Sequence, residues 1–182
     1  MQHNAVRNRT TEERRGRISI RDAEDADLPA IVAILNHEIA VSPFVYAEEQ
    51  VTLDERREWL AAHRSADMPV LVATDGEVLA WASLSPYRSS SGYRFTAEAS
   101  VYVAERARRR GVAAQLLAAL FDAPTSRRFR ALVASIDAEN SPSVALFEAF
   151  GFSEAARLAD VGRKFESWRT QLLFLRNRTN SD

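Results

Sequence analysis

The chain has 182 residues, of which 24 are Lys or Arg and 25 are Asp or Glu, for a formal net charge of −1. That length suits one domain, and 46% hydrophobic with 27% charged residues suits a packed core and excludes wholesale disorder. The near-neutral balance argues against nucleic acid as the main partner, and the absence of cysteine removes disulfides, thiolate metal sites and a cysteine nucleophile together.

Residues 1–16 are polar, Arg-rich and aperiodic, and are expected to form a disordered arm. A single domain is expected over 17–177, with 178–182 as a short tail. Alternation of Ile18 and Ile20 predicts a first strand over 17–22. Asp25 or Asp27 can cap the next helix, whose Leu28, Ile31, Val32, Leu35 and Ile39 recur at helical spacing. Thr52-Leu53-Asp54-Glu55 is a capping box and opens a second helix that runs to about Arg64. Strands over 70–74 and 77–84 meet at Asp75-Gly76, a strong hairpin signal. A strand over 95–103, a helix over 111–121 and a buried strand over 130–136 follow. The next helix has Ser141 as N-cap, Pro142 at its first position and Gly151 just past its end. Strands over 154–161 and 167–175 come last. Early strands are linked by hairpins and later ones by helical crossovers, so the fold class is α+β on a mixed sheet.

No apolar run approaches the roughly 20 residues of a membrane span. The N-terminal stretch also lacks a signal peptide's apolar segment, so a cytoplasmic location away from membranes is expected.

Chemistry concentrates in Thr96-Ala97-Glu98-Ala99-Ser100-Val101-Tyr102-Val103 and the basic loop Arg108-Arg109-Arg110-Gly111-Val112-Ala113-Ala114. A strand runs into that loop, and a glycine opens a helix. Free N–H groups and the positive end of the helix dipole make an anion site there. Gly111 lets a phosphate approach the backbone, Ala113 and Ala114 keep the first turn narrow, and the arginines add charge that pairs with phosphates. A diphosphate suits this arrangement. Taken alone, the same six residues also suit a solvated basic loop before an amphipathic helix.

Position after a Val-Tyr-Val strand and before Asn140-Ser141-Pro142 gives the pattern its meaning, for the chain here resembles the GNAT superfamily of acetyl-CoA-dependent N-acetyltransferases. The superfamily phosphate loop reads Q/R-x-x-G-x-G/A, which Arg108, Gly111 and Ala113 match. Asn36-His37-Glu38-Ile39, Asp75-Gly76-Glu77-Val78, the strand from Thr96 to Val103 and residues 141–152 resemble the phosphinothricin and methionine-sulfoximine acetyltransferases. The likeness runs from about Ile18 to Leu175 in the same order with similar gaps. It implies a three-layer α/β/α fold with a mostly antiparallel sheet, in which strands 95–103 and 130–136 run parallel and splay in a V. It further implies acetyl-CoA as co-substrate, a small amino-acid-like amine as acceptor, and a homodimer. Backbone groups of Val101 and Val103 would hold the thioester carbonyl and the pantetheine arm. The amides of Arg109, Arg110, Gly111, Val112, Ala113 and Ala114 would wrap the pyrophosphate, beside Arg108, and Asn140 would hydrogen-bond the pantetheine.

Glu98 is the candidate general base. An amine attacks a thioester only when neutral, yet a free α-amino group has a pKa near ~8, so a placed carboxylate that takes its proton contributes roughly 10²–10⁴ in rate. The alternative is a strand glutamate turned to solvent. In the loop before this strand, Arg88 or Arg94 can pair with an amino-acid carboxylate, and Ser91, Gly92 and Tyr93 can offer backbone contacts. Three residues depart from the family pattern: Ser90 and Tyr46 stand where a basic residue is found, and Phe147 where a tyrosine would protonate the departing thiolate. His3 falls in the arm, His63 is expected on an exposed helix face and His37 near the acceptor end. With no acidic cluster at ligand spacing, no metal site is expected. Trp59, Trp81 and Trp168 are read as core and rim. Competing readings are an acetyltransferase for a protein N-terminus or a polyamine, a non-catalytic acyl-CoA-binding module, and a nucleic-acid binder built on residues 106–110.

Overall fold

The computed structural model describes residues 18–178, so the arm expected over 1–16 and the tail from 179 onward lie outside the described residues. In chain order the elements are β1 (Ser19–Asp22), α1 (Leu28–Val41), α2 (Leu53–Ser65), β2 (Val70–Thr74), β3 (Val78–Pro86) and β4 (Thr96–Val103). Then come α3 (Val112–Asp122), β5 (Ala131–Asp137), α4 (Ser141–Ala149), β6 (Ser153–Lys164) and β7 (Ser167–Asn177). The seven strands form one sheet in the order β1-β2-β3-β4-β5-β7-β6. Every neighbouring pair is antiparallel except β4 and β5. This is the mixed, mostly antiparallel sheet the sequence predicts.

Helices cover both faces. On one, Leu116, Leu117 and Leu120 of α3 and Phe147 of α4 pack with Ala80, Ala82 and Leu84 of β3 and with Ala97 and Ala99 of β4. On the other, Leu28, Ile31, Leu35 and Ile39 of α1 and Leu60 of α2 pack with Val70, Val72 and Trp81. Each such leucine, taken wholly out of water, contributes about 1.5–3 kcal/mol. Small alanines in β3 and β4 let α3 lie close to the sheet, which sets the level at which its N-terminus meets the end of β4. No helix among the described residues is long and apolar enough to cross a membrane.

Local signals act as read at Thr52, whose hydroxyl accepts from the Glu55 amide at 3.2 Å while Glu55 returns the bond to Thr52 N at 2.7 Å. Gly76 turns the β2–β3 hairpin at φ +108°, a conformation that L side chains rarely adopt. Four expectations are corrected. Asp27 does not cap α1 through its side chain; its carboxylate takes the Glu24 amide at 2.8 Å and the Arg21 guanidinium at 2.6 Å. Asn140, and not Ser141, caps α4, with its Oδ1 accepting from Ser143 N at 3.3 Å. The last two strands run on to Lys164 and Asn177, because Phe165 and Glu166 supply the two positive φ values (47° and 62°) of their tight turn without a glycine.

The fourth correction is His63, which is 6% exposed. It lies one turn along α2 from Trp59 and Leu60, on the face that meets the sheet. Its Nδ1 is 2.8 Å from the Trp59 carbonyl and its Nε2 2.9 Å from Ser85 Oγ. A carbonyl only accepts, so Nδ1 carries the proton and Nε2 accepts from the Ser85 hydroxyl. Burial, aided by the neighbouring Arg56 charge, lowers the His63 pKa despite the Trp59 hydrogen bond. The unfolded chain therefore binds a proton below about pH 6.5 that the native imidazole refuses, and stability falls with pH there. Urea unfolding at pH 8 and pH 5 should show that loss in the wild type and a clearly smaller one in His63→Gln.

Candidate active site

Parallel pairing between β4 and β5 covers only Thr96–Ala131, Ala97–Leu132 and Glu98–Val133. Beyond Glu98 the strands diverge, β4 staying on β3 as far as Val103 and β5 staying on β7 as far as Asp137. The backbone of residues 99–103 on that side thus has no strand partner, and a wedge opens with Glu98 at its vertex. This is the V-shaped splay that the resemblance implies.

The wedge leads to the basic loop. Gly111 precedes α3 at φ 71°, and Arg109 takes φ 59°. No side chain caps the first turn of α3. A Cβ built on Gly111 would meet nothing nearer than Gln115 Nε2 at 4.0 Å, so protein atoms leave this approach to the amides clear. Left-handed residues thus stand on either side of Arg110, the kind of backbone alternation from which anion nests are built. Three of the loop arginines are tied to carboxylates. Arg106 pairs with Glu77 at 2.7 Å, Arg110 with Asp75 at 3.6 Å, and Arg108 with Glu38. Arg109 makes no ion pair among the described residues.

The opposite wall is tethered by residues 36–38. Asn36 clamps the backbone of Val51 at both ends, Nδ2 to Val51 O and Val51 N to Oδ1, each at 2.9 Å. His37 Nε2 lies 3.6 Å from Glu105, and Glu38 takes Arg108. The Asn36-His37-Glu38 motif thus ties α1 to residue 51 and to the phosphate loop.

A buried polar cluster closes the floor. Arg169 donates to both oxygens of Asp137, at 2.8 and 2.7 Å, with the two side chains 8% and 1% exposed. The Tyr46 hydroxyl donates to Asp137 Oδ2 at 2.8 Å, and Glu139 caps Arg169 at 3.1 Å. Burial alone would raise the Asp137 pKa; Arg169, the Glu139 amide and Tyr46 outweigh it and hold the carboxyl below the usual range. Tyr46 is pushed up by its burial and by this same carboxylate. Its ring lies where a Cβ on Gly162 would come within 2.5 Å, so glycine is required there by space. Sequence reading missed this cluster.

Glu98, half-buried, accepts from Ser135 Oγ at 2.6 Å and has Ser85 directly opposite on β3. It shares a face with Ser100 and Tyr102, and Tyr102 stacks on Trp81 at 4.6 Å. Beside these groups lies a cleft of about 710 Å³, within the range of small-molecule sites, lined by Glu38 and Asp137 among others; Glu98 itself lies just outside the lining, next to the lining residues Ala99 and Ser135. Val101, Val103, Arg108, Arg109, Gly111, Val112, Ala113, Ala114 and Asn140 line it, as do Ser135, Tyr102 and the buried Phe147. Arg110 does not, being turned to Asp75. Arg88, Ser91, Gly92, Tyr93 and Arg94 lie outside the lining, on a loop that joins β3 to β4 at the Glu98 end. There Arg88 sits over Tyr87 and Tyr93, and Arg94 over Phe95. Of the tryptophans, Trp81 is core and Trp168 is 64% exposed.

A parted strand pair beside an uncapped helix start is a cradle for a long ligand with a diphosphate, and comparison agrees. Residues 33–152 match the acetyltransferase (GNAT) family, and the chain belongs to it. It is an N-acetyltransferase of the acyltransferase class. Among individual proteins it is 39% identical to the L-methionine sulfoximine/L-methionine sulfone acetyltransferase of Pseudomonas paraeruginosa, over 82% of this chain and 88% of that one. It is 35% identical to the phosphinothricin N-acetyltransferase of Streptomyces coelicolor, over 81% and 89%. The acetyltransferase yncA of Salmonella typhimurium, solved with its cofactor acetyl-CoA, superposes with a TM-score of 0.85 at 32% identity, covering 90% of this chain and 95% of that one.

Removing one partner of the Asp137–Arg169 pair strands a buried charge. Arg169→Met should cost about 3–5 kcal/mol, and Asp137→Asn in the same chain should recover much of it. Urea unfolding of the two variants against wild type measures both.

Proposed function

We propose that this enzyme transfers the acetyl group of acetyl-CoA to the α-amino group of a small amino acid of the methionine sulfoximine, methionine sulfone or phosphinothricin type. The observation that carries the reading is Glu98 at the vertex of the wedge, where the free edge of β4 begins. Bound acetyl-CoA supplies an acetyl group activated as a thioester. Val101 and Val103 hold its arm along β4, Asn140 offers its side-chain amide, and amides from Arg109 to Ala114 receive the pyrophosphate. Gly111 gives the phosphates room and Arg109 their nearest unpaired charge; Arg108 and Arg110 act as tethers of the loop.

Glu98 accepts the proton of the acceptor's ammonium, directly or through one water, while Ser135 fixes its orientation. Phe147 offers no proton, so the departing thiolate takes one from solvent or from the amine. The loop carrying Arg88, Ser91, Gly92, Tyr93 and Arg94 borders the acceptor's entrance. Relatives of this chain act on such amino acids by name, which supports the acceptor class. The reading includes a cytoplasmic homodimer, supported by the lack of cysteine and by exposed apolar side chains at Val161, Phe165 and Trp168 on the β6–β7 hairpin.

Thiol release across methionine sulfoximine, methionine sulfone, phosphinothricin, the common amino acids, a polyamine and a peptide N-terminus tests the acceptor. Transfer confined to polyamine or peptide would overturn it. Glu98→Gln should lower turnover roughly 10²–10³-fold with acetyl-CoA affinity unchanged, and raising the pH should restore part of it, since the amine then deprotonates unaided. The wild-type profile of turnover against pH should show one ascending limb. Gly111→Val, which needs φ near +71° and puts methyl groups over the amides, should raise the acetyl-CoA KM sharply while the circular dichroism spectrum stays unchanged. Calorimetry showing normal acetyl-CoA binding by that variant would move the phosphate site elsewhere.

A further inference from the structure

One cation outside the cleft lining makes no ion pair among the described residues. Arg56 stands on α2, and its guanidinium carbon lies 4.4 Å from the centre of the Trp59 ring and 5.5 Å from that of Trp81. Its Nε is buried with no hydrogen-bond partner, and the side chain makes no ion pair among the described residues. Burial lowers its pKa from the ordinary value, although an arginine stays charged in a protein. A guanidinium between aromatic faces, stripped of much of its water, is costly unless an anion completes it.

The anion's chemistry follows from what surrounds it. Trp81 stacks on Tyr102, which lines the cleft, and the Tyr102 hydroxyl feels Arg56 together with the carboxylates of Glu38 and Glu98. Glu38 is already matched by Arg108. What remains around one cleft-lining ring is a cation, Arg56, and a carboxylate, Glu98, neither of which makes an ion pair among the described residues. An α-amino acid carries the complementary pair, an ammonium and a carboxylate on one carbon. Arg88 and Arg94, the arginines singled out by sequence, are exposed and stack on rings of their own loop.

We propose that Arg56 receives the carboxylate of the acceptor amino acid, so that Glu98 and Arg56 together read the zwitterion across Tyr102. This rests on the acceptor reading given above. The aromatic faces hold the guanidinium fork in place before the acceptor arrives, so little side-chain freedom is lost on binding. Arg56 is then a specificity-determining residue. It separates amino acids from amines that lack a carboxylate, and leaves acetyl-CoA untouched.

The test compares methionine sulfone with 3-(methylsulfonyl)propylamine, the same molecule without its carboxylate, in wild type, Arg56→Gln and Arg56→Lys. A charge-assisted pair of this sort is expected to be worth roughly tenfold to a hundredfold. Wild type should favour the sulfone by that factor in kcat/KM. Arg56→Gln should lose it through KM for the sulfone alone, with the amine and the acetyl-CoA KM little changed, and Arg56→Lys should fall between. Taking the ratio across variants cancels the different basicity of the two amines. Equal losses for both acceptors in Arg56→Gln would assign Arg56 a purely structural role and overturn the proposal, as would a wild type indifferent to the carboxylate. A wild type that acetylates no amino acid but does acetylate other amines overturns the acceptor reading itself and the carboxylate anchor with it. If Arg56→Gln loses its native circular dichroism spectrum, Arg56→Lys and the wild-type pair of substrates decide.

Discussion

Backbone amides and carbonyls away from solvent need partners, and a sheet normally provides them along the whole of a strand. Here β4 and β5 provide them for each other over three residue pairs and then part. Everything chemical in this molecule follows from that parting. The edge of β4 beyond Glu98 is left unpaired by β5, and the gap leads toward the start of α3. The last paired residue on β4, Glu98, becomes the only carboxylate of that strand and the one at the vertex. Antiparallel neighbours on the outer sides, β3 and β7, hold the two halves of the sheet rigid, so the wedge is a fixed shape.

Polar tethers flank the wedge. Asn36 imitates a strand neighbour for Val51, Glu38 anchors the phosphate loop through Arg108, and Asp137 gathers Tyr46 and Arg169 from distant parts of the chain. Three of the loop arginines are tied to carboxylates in this way, which leaves Arg109 and the uncapped backbone amides of α3 facing the cleft.

Much of this was legible in the residues. Alternation and helical spacing gave the elements within a few positions, because core packing enforces both periods. Glu98 and Gly111 stood out because each breaks its surroundings, a charge in an apolar strand and a glycine at a helix start. What stayed hidden depends on pairs far apart in sequence. The 91 residues between Tyr46 and Asp137, and the 32 between Asp137 and Arg169, leave no local trace. His63 was misread for a different reason: polarity suggested solvent, yet its spacing from Trp59 and Leu60 already put it on the inward face, and Ser85 was available to satisfy its second nitrogen. Asn140 took the cap from Ser141 because helical geometry there begins one residue earlier than Pro142 alone suggests.

The strand order carries one more consequence, for the time course of making the protein. β5 is joined to β4 by three residue pairs but to β7 by seven, and β7 is the last of the seven strands to leave the ribosome. Until it arrives, β5 lacks the neighbour that holds it away from β4, and Asp137 lacks Arg169. A nascent chain that has emitted α4 therefore holds Glu98, Ser135 and Asn140 without the strand that fixes β5. β5 in that interval presents an open edge, free to close the wedge by pairing further along β4. The wedge is thus an outcome of the last strand to join the sheet, and a chain stopped short of β7 would lack the neighbour that fixes β5.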